Sequence, residues 1–178
     1  MLRIVGGKYK GRVLVGFDGE KIRPTSDMAR ESLFNILQGV IYGADFLDLF
    51  CGTGAMGIEA LSRGAKSVTF NDADKNSLII LKKNLEKLKV EEAYEIKNND
   101  AISLLKRADK KYDIIYIDPP YKTDLGVSAL KEVVNSITDD GIVILESETP
   151  FNSTVEGLIE YDTRKYGRVR LTFFRKGE

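Results

Sequence analysis

Histidine is absent from this 178-residue chain, and that omission removes several chemistries at once. Neither a Ser-His-Asp triad nor a Cys-His pair can be built, and a His-ligated metal centre is excluded, so no metal is expected. Cysteine occurs once, as Cys51, which rules out an internal disulfide. No apolar run approaches the roughly 20 residues that span a bilayer, and Met1-Leu2-Arg3-Ile4-Val5-Gly6-Gly7 lacks the apolar segment of a signal peptide; a cytoplasmic protein without membrane attachment is expected. Net charge is missing as well, with 27 Lys/Arg against 27 Asp/Glu. That balance hides an asymmetry. Residues 1–30 hold seven basic and three acidic side chains and residues 161–178 hold six and two, which leaves 14 basic and 22 acidic between them. Basic ends suit a polyanion-binding surface, although solvated termini give the same count.

What is present fits one α/β domain, since the length supports a substantial core but not two ordinary ones. From residue 45 onward short apolar runs alternate with stretches of helical period, the signature of βαβ units and a parallel sheet. Strands are expected at Asp45–Phe50, Ser67–Phe70, Tyr94–Lys97, before Asp118 and at Gly141–Glu146. Helices are expected at Ala55–Arg63, at Lys75–Leu88 with Leu78, Leu81, Leu85 and Leu88 on one face, after Asp100, and near Gly126–Ile137. Glu156–Tyr161 and Arg168–Phe174 read as an antiparallel hairpin with Val169, Leu171 and Phe173 on one face. Residues 45–178 thus form the core. Residues 1–44 form an extension with a basic hairpin over Ile4–Val15 and a helix near Ser26–Ile41, whose apolar face is Ala29, Leu33, Ile36, Leu37 and Val40.

The sharpest chemical signal is Asp118-Pro119-Pro120-Tyr121, directly after the strand-like run Tyr112–Ile117. Consecutive prolines fix two φ angles and restrict the residue before each, so a carboxylate, two carbonyls and an aromatic ring are held in one arrangement. Such a set can accept hydrogen bonds from an amino group on a planar base while the tyrosine stacks on it; the bland alternative is a stiffened strand exit. A second signal is Leu47-Asp48-Leu49-Phe50-Cys51-Gly52-Thr53-Gly54-Ala55-Met56-Gly57, a strand, glycine turn and helix start containing Gly-x-Gly-x-x-Gly. Glycines allow backbone to approach a nucleotide-like ligand closely, and Asp72 with Ala73 at the next strand end is placed to hold a ribose diol. A dinucleotide would put its pyrophosphate on the helix N-terminus. S-adenosylmethionine carries an ammonium instead, and Asp48 stands where an acid is useful. Asn99, Asp100 and Ala101 follow the third strand, where they can read an adenine edge. By the open-sheet rule, Asp48, Asp72, Asp100 and Asp118 converge on one crevice; singly, each could be a helix cap. Cys51 reads as a small packing residue, because nothing near it in sequence would activate its thiol.

With these motifs in place the chain resembles the class I S-adenosylmethionine-dependent methyltransferases, and within them the RsmD-type 16S rRNA guanine 2-amino methyltransferases. The resemblance also rests on Ile4–Arg12, Ile22-Arg23-Pro24-Thr25, Arg30–Leu37 and Asp48–Ala65, with Asp72 where that family more often has glutamate. It implies a Rossmann-like, seven-stranded, mostly parallel sheet with helices on both faces and a C-terminal antiparallel hairpin. It implies methyl transfer to a guanine 2-amino group by Asp118, Pro119, Pro120 and Tyr121. The cofactor would lie against Asp48, Phe50, Gly52, Thr53, Gly54, Gly57, Asp72, Ala73, Asn99, Asp100, Ala101 and Asp118. Lys8, Lys10, Arg12 and Arg23 would hold phosphates of 16S rRNA, within a small-subunit ribosomal particle. Rival readings are an amino-methyltransferase acting on adenine or on a protein glutamine, an NAD-dependent oxidoreductase, and a catalytically idle RNA-binding module.

Overall fold

The computed structural model describes residues 1–19 and 24–178, so Ile22 and Arg23, named above, lie outside the described residues. In chain order the elements are α1 (Pro24–Ile36), β1 (Asp45–Asp48), α2 (Ala55–Ser62), β2 (Ser67–Asn71), α3 (Lys75–Leu88), β3 (Ala93–Lys97), α4 (Ala101–Lys106), β4 (Tyr112–Ile117), α5 (Leu125–Glu132), β5 (Ile137–Ser147), β6 (Leu158–Tyr166) and β7 (Val169–Lys176). One seven-stranded sheet runs β3-β2-β1-β4-β5-β7-β6. The first five strands are parallel, and β7 joins β5 and β6 antiparallel. This is the class I methyltransferase architecture expected from the sequence.

Two apolar layers cover the sheet. On one face Leu33 and Leu37, Ile58 and Leu61 of α2, and Leu78, Leu81, Leu85 and Leu88 of α3 pack on Phe46, Phe70, Ile114, Tyr116 and Ile144. On the other, Ala101, Leu105, Ala129 and Leu130 of α4 and α5 pack on Leu47, Ile115, Val143 and Phe174. The four leucines of α3 are the stripe read from the sequence, and each buried leucine stabilises the fold by roughly 1.5–3 kcal/mol. Asp74 caps that helix by accepting the Asn76 N–H at 3.0 Å. Strand order reverses beside β1, so the carboxyl ends of β1 and β4 open a crevice there.

Three expectations need correction. The helix near Gly126–Ile137 stops at Glu132, a 3-10 turn follows at Val133–Asn135, and Ile137 already opens β5 opposite Tyr112, because its branched, fully buried side chain completes the sheet. On the α1 stripe Ala29, Leu33 and Leu37 are buried, but Ile36 is 39% and Val40 48% exposed. The 3-10 turn Leu37–Gly39 breaks the 3.6-residue phase, and Phe34 and Ile41 fill the core instead. The N-terminal hairpin is present but short: Arg3 bridges Val13, and the Ile4, Gly11 and Leu14 N–H groups donate across the arms to the Arg12, Ile4 and Leu2 carbonyls. The donors of its connecting segment go to α2: Val5 and Gly6 N–H to the buried Glu59 carboxylate, Lys8 N–H to the Ser62 carbonyl and Tyr9 N–H to the Ser62 hydroxyl. In the C-terminal hairpin Val169, Leu171 and Phe173 share a buried face as expected; Thr172 and Phe174 are buried too, since β7 is an interior strand covered on both sides. Among the described residues no helix is long and apolar enough to cross a membrane.

Candidate active site

A cavity of about 710 Å³ opens at the carboxyl ends of β1, β2, β3 and β4, within the size range of small-molecule sites. Its wall gathers most of the residues singled out in the sequence. Asp48, Phe50, Gly52 and Thr53 come from the end of β1 and its loop, Asp72 and Ala73 from β2, Asn99, Asp100 and Ala101 from β3 and α4, and Asp118–Tyr121 from β4. Gly54 and Gly57 stand behind that wall. Gly54 has φ 93° where α2 begins, and a side chain there would run into Leu81. A Cβ on Gly57 would lie 2.3 Å from the Phe70 ring, so this glycine lets α2 settle on β2. The Gly57 N–H is donated to Asp48 Oδ2 at 3.0 Å, not offered to the cavity.

Backbone and amide bonds hold the strand ends in place. Asp72 accepts the Gly52 N–H at 2.9 Å and the Asp74 N–H at 2.8 Å, which ties the glycine loop to β2. Asn71, buried behind it, donates to the Leu49 and Asn99 carbonyls and so ties β1, β2 and β3 together, while its Oδ1 has no hydrogen-bond partner among the described residues. Asp100 caps α4 through the Ser103 N–H, and that bond lowers its pKa. Helix geometry leaves the Ala101 N–H, at the first position of α4, without an intrahelical acceptor.

The electrostatics of the wall are one-sided. Burial, then the neighbouring Asp72 and Glu146 charges, pushes Asp48 up to about 7 despite the Gly57 bond. Burial and the charges of Glu146 and Asp48 raise the Asp118 carboxyl well above the usual range. Glu146 is raised by burial, and its Oε2 accepts the hydroxyl of buried Tyr116, itself raised by burial and by these acids. Among the described residues no ion pair neutralises Asp48, Asp118 or Glu146. Cys51 is buried and its thiol is pushed up by burial, Asp48 and Asp72, which makes it a packing residue as read from the sequence. No cluster of metal-ligating side chains occurs among the described residues.

Beyond the acids, Pro119 is half-buried and Tyr121, 53% exposed, stands at the cavity mouth. Gly126 lets α5 approach Pro119, since a Cβ there would lie 3.2 Å from its ring. The extension also reaches the cavity, through Leu2, Phe17, Asp27, Arg30 and Leu33. Arg30 is buried, donates to the Arg3 carbonyl and lies 3.9 Å from Glu59. Sequence reasoning did not single out Glu146, Tyr116, Asn71 or Phe17 for the site. Glu146 could have been found, because it follows the apolar run Ile142–Leu145 as Asp118 follows Ile114–Ile117. Lys8 and Arg12 of the extension lie elsewhere. Lys8 pairs with Glu91 and Glu92, whose hydrogen bonds raise its pKa, and Arg12 donates to the Lys87 carbonyl. Those partners sit where α3 returns to the amino ends of the strands, away from the cavity. Lys10 is exposed.

Residues 2–175 match the family described as Conserved hypothetical protein 95. The ribosomal RNA small subunit methyltransferase D of Escherichia coli K12 is 39% identical over 155 residues, covering 87% of this chain and 76% of that one. Its namesake from Haemophilus influenzae is 35% identical over 176 residues, covering 90% and 91%. The solved structure of yhhF from Escherichia coli superposes with a TM-score of 0.87 at 30% identity over 99% of each chain. The chain belongs to the Conserved hypothetical protein 95 family, the family of the ribosomal RNA small subunit methyltransferase D proteins.

Proposed function

We propose that this protein is an S-adenosylmethionine-dependent methyltransferase of the cytoplasm that modifies the exocyclic 2-amino group of a guanine in 16S rRNA, within a small-subunit particle. The observation that carries the reading is the acid-lined cavity with Asp118-Pro119-Pro120-Tyr121 at its mouth. Three carboxyls raised by burial, Asp48 and Asp118 also by neighbouring acids, with no ion pair among the described residues, suit a cationic ligand. S-adenosylmethionine, with its sulfonium and ammonium, fits that wall. A pyrophosphate does not, because Asp48 already takes the Gly57 N–H at the start of α2, which weighs against NAD.

Asp48 would face the methionine ammonium. Asp72 keeps lone pairs for the ribose hydroxyls, and the Ala101 N–H is available to an adenine ring nitrogen. When bound, S-adenosylmethionine supplies an electrophilic methyl group on a sulfur that leaves readily. The chain's own task is to present a poor nucleophile, since the guanine 2-amino lone pair is conjugated with the ring. Asp118 and the Pro119 carbonyl would accept its two hydrogens and favour a pyramidal nitrogen, with Tyr121 stacking the flipped base. A carboxyl held above its usual range is a stronger base, and Asp118 would take the proton the amine loses as the new N–C bond forms. Lys10 and Arg12 would add phosphate contacts, as would Arg23; Lys8 would first have to release Glu91 and Glu92. RNA reaching Lys8 and Arg12 must pass along the strands, roughly 13–20 Å.

The experiment is a comparison of Asp118→Ala with the unaltered protein, measuring cofactor binding by calorimetry and methyl transfer to small-subunit particles with labelled S-adenosylmethionine. Binding retained with transfer lost supports the reading; full transfer by the variant refutes it.

A further inference from the structure

Resting on that guanine reading, we propose that Glu146 accepts the N1–H of the target guanine and thereby selects which purine is methylated. Ile117 of β4 pairs with Leu145 of β5, so Asp118 and Glu146 follow that rung side by side at the carboxyl ends of adjacent parallel strands. Alternation along the strands puts Asp48, Tyr116, Asp118 and Glu146 on one face of the sheet, and all four line the cavity. Glu146 is half-buried. Its Oε2 is occupied by the hydroxyl of buried Tyr116, which orients the carboxylate and favours its ionised form; Oε1 has no donor among the described residues. The arrangement is a fixed acceptor with one open oxygen, next to the carboxylate proposed to hold the amine.

Guanine presents N1–H and the 2-amino group as adjacent donors on one ring edge, so neighbouring carboxylates satisfy both. Adenine presents its 6-amino group next to an N1 lone pair, which an ionised Glu146 would repel. A flipped base is read on this edge, and a site built to pair a polar hydrogen discriminates strongly against a base lacking it. Glu146 therefore accounts for guanine selection in a way that Asp118, which suits any planar amine, does not.

The test uses 16S rRNA carrying either guanosine or 2,6-diaminopurine riboside at the methylated position, assembled into particles. Both bases offer a 2-amino group, but diaminopurine has a lone pair at N1. The unaltered protein is expected to prefer guanosine by roughly 10- to 100-fold in single-turnover rate, the worth of one hydrogen bond to a charged group. In Glu146→Gln, whose amide can donate to that N1 while its oxygen still accepts from Tyr116, the preference, read at saturating cofactor so that weaker cofactor binding does not enter it, should fall at least tenfold, roughly the same increment. Tyr116→Phe, which frees Oε2 but leaves the carboxylate, should weaken the preference less than Glu146→Gln does. Equal loss on both bases in Glu146→Gln, or a change confined to cofactor binding, would overturn the assignment and leave Glu146 as a support for Tyr116. Absence of 2-methylguanosine from the unaltered protein's product would instead refute the underlying guanine reading, and this inference with it.

Discussion

Replacing Asp48 by asparagine should make the free protein more stable and a poorer binder of the cofactor. Asp48 is 1% exposed, and its pKa rises from 3.8 to about 7 on folding. A raised carboxyl pKa means that the folded state holds the proton more tightly than the unfolded chain. The stability associated with this group is therefore fully present below pH 3.8 and is lost as pH rises to about 7. At about 1.4 kcal/mol per pH unit the loss reaches about 4 kcal/mol at pH 8 and about 2 kcal/mol at pH 5. Asp48→Asn keeps an oxygen for the Gly57 N–H and removes only the titration. Denaturant unfolding without cofactor should show the variant gaining on the unaltered protein by about 2–3 kcal/mol more at pH 8 than at pH 5. Its affinity for S-adenosylmethionine at pH 8 should fall roughly 10- to 100-fold. A stability difference that does not change between pH 5 and pH 8 would refute the claim that this carboxyl is held against its own charge.

Asp118→Asn should cut single-turnover methyl transfer by roughly 100-fold or more, with cofactor affinity within a few fold, read from labelled product in rapid quench. Gly57→Ala should cost about 1–3 kcal/mol in denaturant unfolding, because the new methyl meets the Phe70 ring; an unchanged midpoint would contradict the close packing of α2 on β2. Lys10→Ala and Arg12→Ala should each weaken RNA binding across sequences and lower the salt slope by about one, read by filter binding at several salt concentrations. Slopes equal to the unaltered protein's would remove these residues from the RNA interface.

The strands were legible because apolar runs such as Tyr112–Ile117 end abruptly at turn residues, and the rule that ligands gather at strand carboxyl ends groups four acids from sequence alone. The α3 stripe was legible for the same reason, its leucines keeping a strict helical phase. Legibility failed where local preference yielded to tertiary demand. Ile36 and Val40 lost their places to Phe34 and Ile41 across a 3-10 turn that no spacing announces. The hairpin of Ile4–Val15 is shorter than its pattern suggests because Glu59 and Ser62, more than 50 residues away in sequence, take the donors of its connecting segment. In the glycine loop one pattern hid separate duties, with Gly52 on the cavity wall and Gly54 and Gly57 packed against Leu81 and Phe70. Glu146 went unmarked because it carries no motif, although it ends an apolar run as Asp118 does; the β4–β5 register is what sets the two side by side.

On the proposed function, the cavity behind Asp118 directs a methyl group to a guanine 2-amino nitrogen of small-subunit RNA. The measurement is to incubate the protein with isotopically labelled S-adenosylmethionine and small-subunit particles from cells lacking its gene, then digest the RNA and identify the labelled nucleoside by mass spectrometry. 2-Methylguanosine is expected in 16S rRNA, and none with Asp118→Ala. Label on an adenine or on protein would contradict it.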